Sequence, residues 1–378
     1  MRILFDLRAY QKYQNRGIGR YIYEVFTRAM RKMPDVAYAL IEDSVSEVLL
    51  PDDLSKTIRF CTVADFDAGN YPVESFDVLI NGAVFQRAGG VSPLTWMYPP
   101  AVLSACKRVT GILYDFIPLL FQQTWGSDDD RLLFSLQMEA AGNLSHIFAI
   151  SRFTLYSGVR YLNRPAEGFT NLYGGADETL FHSPNSALPY DPQTRGNHLI
   201  YISGDAVHKN NAGLVQAFCA AHRHKRIPAD ASLYIVCRAS DVMIAQITQE
   251  TNALGCRYGR DVIVTNYIPD EQMVHLLSTA RASIFASIYE GLGLPILESY
   301  TAGTPCWASA VSATREFVLP ECSFDPFDPS SMTGAIERIY SDADLCAKSL
   351  AFGRDLIQTV NWDTAAEKML NKLQELAG

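Results

Sequence analysis

The feature that most constrains this chain is a repeat of short, unbroken apolar runs separated by helical patterns, interrupted once near the middle. The runs RILFDL, FDVLING, RVTGILYD and HIFAIS come before the interruption; HLIYIS, SLYIVC, DVIVTN and ASIFAS come after it. They lack the in–out alternation of a half-solvated sheet, so they suit strands covered on both faces, as in a parallel sheet. Helical patterns fall between them: Gly19 to Lys32, Asp130 to Gly142 and the stretch after Ser151, then NAGLVQAFCAAHRH, Ile244 to Leu254, DEQMVHLLSTA and a helix from Pro295. Strand and helix in alternation give doubly wound α/β units. The interruption, HSPNSALPYDPQTRGNH, is rich in Pro, Ser and Asn, has no period and reads as a linker. The expected layout is a first domain over 1–183, a linker over 184–197 and a second domain over 198–361. Two such domains leave a cleft, and ligands of open α/β sheets bind beyond the carboxyl ends of the strands.

Composition narrows the classes. Net charge is −9 and the pI about 5.3, which is not the footprint of a nucleic-acid binder. The eight cysteines are scattered singly with no CxxC, so they read as reduced core residues of a cytoplasmic protein. MRILFDLRAY reads as a first strand, not a leader, since Asp6 cuts its apolar run. No run approaches the roughly 18 apolar residues of a membrane helix.

Four motifs sit at expected strand ends. In QNRGIGRYIYEV, Gly17, Ile18, Gly19 and Arg20 open a helix after a loop of about ten residues; Ile22 stands where a dinucleotide fingerprint needs its third glycine. Free N–H groups there suit an anion, and the bland alternative is a helix start with solvated arginines. In GILYDFIPLLF, Asp115 ends a strand, either orienting a sugar hydroxyl or closing a turn. In ISGDAVHKNNAGL, His208 and Lys209 precede a helix, where a lysine adds a full charge to the helix dipole and suits a phosphate. No Walker A pattern accompanies it. In YEGLGLPILE, Gly291 and Gly293 free the backbone between Glu290 and Glu298, with Leu292 and Leu294 between and Pro295 opening a helix. Glu298 is expected in the first helical turn, reaching back toward the loop. Carboxylates that accept from hydroxyls, flanking N–H groups that bind anions, match a sugar joined to a nucleotide by diphosphate. The alternative for Glu298 is an acidic residue favoured by the dipole.

SIYEGLGLPILESYTAGTPCWAS resembles the signature of the family 4 retaining glycosyltransferases of the GT-B fold, two Rossmann-like doubly wound parallel-sheet domains facing a cleft. YISGDAVHKN, AISRFTLYS, LYGGAD and VNWDTAAEKMLNKLQEL are similar to its other landmarks in order, and RGIGRY and YDFIPLLF resemble a bacterial O-antigen and exopolysaccharide branch rich in mannosyltransferases. The resemblance implies that Glu298 holds the donor ribose, Glu290 the transferred sugar, and Gly291, Leu292, Gly293 and Leu294 the sugar and diphosphate. It implies that Lys209 pairs with the diphosphate, that Gly17 to Gly19 close over the phosphates, that Tyr267 and Ile268 flank the base, and that the helix of about 362–378 completes the first domain. Three positions depart from the pattern: Ser203 and Gly204 stand in place of a family arginine, His208 precedes the lysine where arginine is common, and Tyr114 replaces a histidine. Arg20 or Arg152 would then supply part of the diphosphate charge.

The implied reaction is transfer of a hexose from a nucleotide sugar, GDP-mannose by branch, with the anomeric configuration retained. The acceptor would be a lipid-linked oligosaccharide or polysaccharide, reached from the cytoplasm with at most peripheral contact with the inner membrane leaflet. UDP-hexoses and dTDP-rhamnose are alternative donors. A nucleotide-sugar epimerase and an inactive partner subunit are alternative identities. No metal or other cofactor is expected, because SDDDR (Ser127 to Arg131) reads as a solvated helix start.

Overall fold

The computed structural model describes residues 1–14, 17–42, 50–85, 93–121, 127–266 and 268–378. Chain contacts divide it into two compact units, one of Met1–Gly174 with Val360–Gly378 and one of Gly175–Thr359.

In the first unit, β1 (Ile3–Asp6), β2 (Ala37–Ile41), β3 (Arg59–Thr62), β4 (Phe76–Asn81), β5 (Cys106–Leu113), β6 (His146–Ala149) and β7 (Phe169–Asn171) form one sheet in the order β3-β2-β1-β4-β5-β6-β7. Every pairing is parallel. In the second, β8 (His198–Ile202), β9 (Ser232–Val236), β10 (Val262–Thr265), β11 (Ala282–Phe285), β12 (Cys306–Ser309) and β13 (Ser323–Phe324) run β10-β9-β8-β11-β12-β13, again all parallel. Both are doubly wound. The chain moves outward from β1 or β8, then returns to place β4 or β11 on the other flank. That reversal is the topological switch point, where loops diverge and leave room for a ligand.

The apolar runs named from the sequence all became strands, and all but one lie inside their sheets, where burial on both faces demands such composition; the exception is β10, an edge strand with one fully buried residue. The strands not foreseen are β2, β3, β7, β12 and β13. Of these β3 is a half-exposed edge, and β7 and β13 have three and two residues, too short for any period to show. The loop expected after β1 instead holds a helix, Arg8–Tyr13, and the next helix begins at Gly17. Helix starts follow local capping chemistry. Ser127 and Asp130 form a reciprocal capping box, so the SDDDR stretch does open a helix. Ser151 and Asn361 each accept an N–H three residues on.

The helix Trp362–Ala377 buries Trp362, Ala365, Ala366, Met369, Leu370 and Leu373, one stripe at helical spacing. Trp362 meets Tyr21 edge to face at 5.2 Å, and Lys32–Glu367 and Arg28–Asp363 ion pairs flank the stripe. This helix therefore belongs to the first unit, from which Gly175–Thr359 separates it in sequence. The unperiodic segment 184–197 is not a free tether. Asn185 donates to Ser278 O at 2.9 Å, Ser186 to Thr301 O at 2.5 Å and Arg195 to Gly303 O at 2.7 Å, which fastens it to the second unit. The first unit accordingly ends at 174 and not at 183. All eight cysteines are buried thiols, consistent with core packing.

At the switch point of the first sheet, Asp6 ends β1 and Arg8 turns back onto it. Arg8 Nε and Nη2 reach the two carboxylate oxygens at 2.9 and 2.7 Å, and Nη1 donates to Trp96 O at 2.5 Å. Both side chains are about 2% exposed. Two charges at that depth persist only if each satisfies the other. Asp6→Ala is therefore expected to strand a buried guanidinium and cost about 3–5 kcal/mol in urea unfolding. A loss below about 1 kcal/mol would show that water reaches the pair.

Candidate active site

The second unit gathers its unusual motifs where β8 and β11 part. Lys209 follows β8 through a single 3₁₀ turn, Val207–Lys209, and the helix Asn211–Arg223 begins two residues on. Glu290 follows β11. Because the two strands are neighbours, residues 81 positions apart in sequence meet: Lys209 Nζ lies 2.7 Å from Glu290 Oε1. The aliphatic stem of Lys209 passes Gly204 at 3.7 Å, measured to where a Cβ would stand, so a side chain at 204 would rest against this lysine.

Each loop is held at several points. The Ile288 N–H donates to His208 O at 2.8 Å. Asn210, in the left-handed region at φ 55°, donates to Ala286 O and Pro326 O at 3.2 and 3.1 Å. The Glu290 N–H donates to Ser312 Oγ at 3.0 Å, and Ala313 N–H donates to Glu290 O at 3.3 Å. Gly293 adopts φ 107°, which explains a glycine there without invoking a ligand, and caps the helix Leu294–Thr301 with Pro295 in its first turn.

Glu298 corrects one expectation. The first turn contains no acid; Glu298 lies in the second, buried at 6% exposure. The dipole explanation for an acid loses force one turn in, since the effect fades beyond the first turn.

Burial alone would push the Glu290 carboxyl up. The Lys209 charge, its hydrogen bond, the Ser287 hydroxyl and His208 outweigh that and hold it below the ordinary carboxylate range. His208 is moved down by burial first and by the Lys209 ammonium second, so it is neutral near pH 7. A cation, an anion and a neutral imidazole thus sit at one helix entrance.

Other expected residues fall elsewhere. Ile268 packs against the core around Ile200, Val236 and Leu277. Tyr267 lies outside the described residues. Gly17, Ile18, Gly19, Arg20 and Asp115 belong to the first unit. A Cβ on Gly19 would collide with the Tyr13 carbonyl oxygen, so close packing against the preceding helix requires this glycine. A Cβ on Gly17 would meet nothing within 4 Å among the described residues beyond its chain neighbours and its own helix backbone. The Asp115 carboxylate accepts the Ile117 N–H at 2.9 Å and so closes a turn. Tyr114 is buried, donates to Gly82 O at 3.1 Å and stacks edge to face on Tyr21, a structural placement. Sequence reasoning missed Tyr201, Ser287, Ser309 and Ser312. Small hydroxyl residues next to a strand end carry no distinctive signal. Among the described residues, no group of three or more His, Cys, Asp or Glu side chains is placed to hold a metal ion, and no helix is long and apolar enough to cross a membrane.

Two doubly wound parallel-sheet units are the architecture of the GT-B fold. Comparison with known proteins finds similarity over part of the chain and a shared fold over nearly all of it. Residues 196–342 match the family model described as Glycosyl transferases group 1. The chain is 28% identical over 244 residues to the O-antigen chain mannosyltransferase B of Escherichia coli, covering 62% of this chain and 61% of that protein. It is 20% identical over 240 residues to an Escherichia coli serotype-specific mannosyltransferase, WbdA, covering 61% of this chain but 29% of the relative. The fold superposes on Anabaena HepE, solved in complex with UDP-glucose, with a TM-score of 0.71, 15% identity, and 99% and 100% of the two chains covered.

Two outcomes test this description. Gly19→Ala is expected to destabilise by about 1–3 kcal/mol through overpacking, and Gly17→Ala to leave unfolding within about 0.5 kcal/mol; thermal and urea melts compare them. Both His208 and Glu290 have folded values below their unfolded ones, so the folded state binds fewer protons and acid removes stability. The loss should begin as pH falls through the unfolded histidine value of 6.5 and steepen below the carboxylate value of 4.5. His208→Gln should flatten the first part of that decline, relative to the parent, in melts between pH 7 and 5.

Proposed function

We propose that the protein transfers a hexose, mannose from GDP-mannose, to a hydroxyl of a lipid-linked oligosaccharide or polysaccharide in bacterial surface-glycan synthesis, with retention at the anomeric carbon. The observation that carries this reading is the meeting of Lys209 with Glu290 at a switch point, where a cation, an acid and a helix N-terminus are offered together. The likeness to two mannosyltransferases supports the choice of sugar.

In this reading Lys209 and the amides at its helix entrance take the diphosphate, and Glu298 accepts from the ribose hydroxyls. Glu290 accepts from hydroxyls of the sugar, with Gly291 to Leu294 passing close to sugar and diphosphate. Ile268 and Tyr267 flank the base; Gly17, Ile18, Gly19 and Arg20 are assigned to the phosphates, with Asp115 and the first unit serving the acceptor. Departure of the nucleoside diphosphate concentrates negative charge at the leaving oxygen. A preorganised ammonium and fixed dipoles stabilise that charge without reorganisation. Retention is assigned to same-face attack, with a donor phosphate oxygen taking the acceptor's proton. No metal or other cofactor is invoked. The proposed place of work is the cytoplasm, with peripheral contact at the inner membrane leaflet where the acceptor lipid lies.

A thermal-shift panel of GDP, GDP-mannose, UDP, UDP-glucose, UDP-galactose and dTDP-rhamnose tests the donor, since a ligand of the native state raises Tm. GDP and GDP-mannose are expected to raise it by several degrees at millimolar concentration, and Lys209→Ala or Glu298→Ala to abolish the rise. A response to UDP and none to GDP would overturn the choice of nucleotide.

A further inference from the structure

Behind the Lys209–Glu290 pair lies a short run of hydroxyls. Tyr201, in β8 and 1% exposed, donates to Lys209 O at 2.6 Å and lies 2.8 Å from Ser287 Oγ. Ser287, just beyond β11 and 1% exposed, donates to the same Glu290 Oε1 that faces Lys209, at 2.7 Å. Its own carbonyl is pinned by the Ser309 hydroxyl at 2.5 Å. Each hydroxyl has one hydrogen. An ionised carboxylate only accepts, so the Ser287 hydrogen is committed to Glu290. The Tyr201 hydrogen is left to choose between Lys209 O and Ser287 Oγ. The two loops of the switch point are thereby joined through the core as well as across the surface.

The arrangement matters if Lys209 also serves a diphosphate. One ammonium then faces two anions, and as it turns to the ligand, Glu290 loses its ion-pair partner while still largely enclosed. A buried carboxylate without partners takes up a proton. We infer that Ser287 and Tyr201 are positioning residues: Ser287 keeps Glu290 an anion, in place, while Lys209 attends to the diphosphate, and Tyr201 fixes the Lys209 backbone from behind. This rests on the functional reading given above. The groups from the 3₁₀ turn that act on Glu290 are the Lys209 ammonium and the titratable imidazole of His208. The titratable phenol of Tyr201 lies behind them, held in its neutral form by burial, with a value pushed up to about 12. Residues 309–314 contribute only hydroxyls and amides, and the helix Leu294–Thr301 carries a single charge, Glu298.

The test follows the Glu290 carboxyl itself. Protein labelled with carbon-13 at the glutamate carboxyls is titrated by NMR, with Glu290→Gln assigning the signal, first alone and then saturated with GDP. In Ser287→Ala the proton affinity of Glu290 is expected to rise about tenfold in the free protein and further with GDP bound; Ser287→Thr should restore it to within about threefold. Tyr201→Phe should weaken GDP binding several-fold by calorimetry while leaving the carboxyl titration nearly unmoved. Titration of Ser287→Ala at the parent's pH, free and bound, overturns the role of Ser287; unchanged GDP affinity in Tyr201→Phe overturns that of Tyr201. If the parent binds no nucleoside diphosphate, the functional reading fails on its own, and the titration of the free protein still decides whether Ser287 holds the carboxylate.

Discussion

The ion pair between Lys209 and Glu290 exists because β8 and β11 lie side by side. Nothing local brings the two together. They come from loops at the same end of adjacent parallel strands, and the intervening strands β9 and β10 have been laid out on the opposite flank. The pair, the buried Glu298 and the helix entrance at Asn211 all follow from that one adjacency. Any registry that separated β8 from β11 would leave a partly buried lysine and a partly buried glutamate without each other, which is costly for both.

The first unit repeats the topology and fills its switch point differently. There Arg8 grips Asp6 with both prongs and spends further donors on backbone carbonyls, at about 2% exposure. Lys209 and Glu290 keep 23% and 18% of their side-chain surface accessible. The first pair is a closed structural clamp. The second remains within reach of a ligand, and its single-point geometry allows an ammonium to change partners where a bidentate guanidinium would resist.

Sequence and structure divide the explanation of individual residues. The double-glutamate loop and the lysine before a helix were visible because each combines rare types at fixed spacing. Gly19 was visible as a glycine but not for its reason, since the Tyr13 carbonyl that excludes a side chain there belongs to a helix that the sequence reading left as loop. Ser287, Ser312 and Tyr201 were invisible. A serine by a strand end is ordinary until the fold places its hydroxyl against a carboxylate.

What the sequence determined by itself was therefore local: apolar runs that must be buried on both faces, caps that open helices, and glycines and prolines that bend the chain at strand ends. Tertiary structure decided the strand order, the return of residues 360–378 to the first unit, the fastening of 184–197 to the second, and which hydroxyls serve which charge. The physical reason is range. Backbone preference and hydrophobic period act over a few residues and are written in neighbours, whereas a hydrogen bond or ion pair between loops is set by which strands become adjacent, a property of the packed whole.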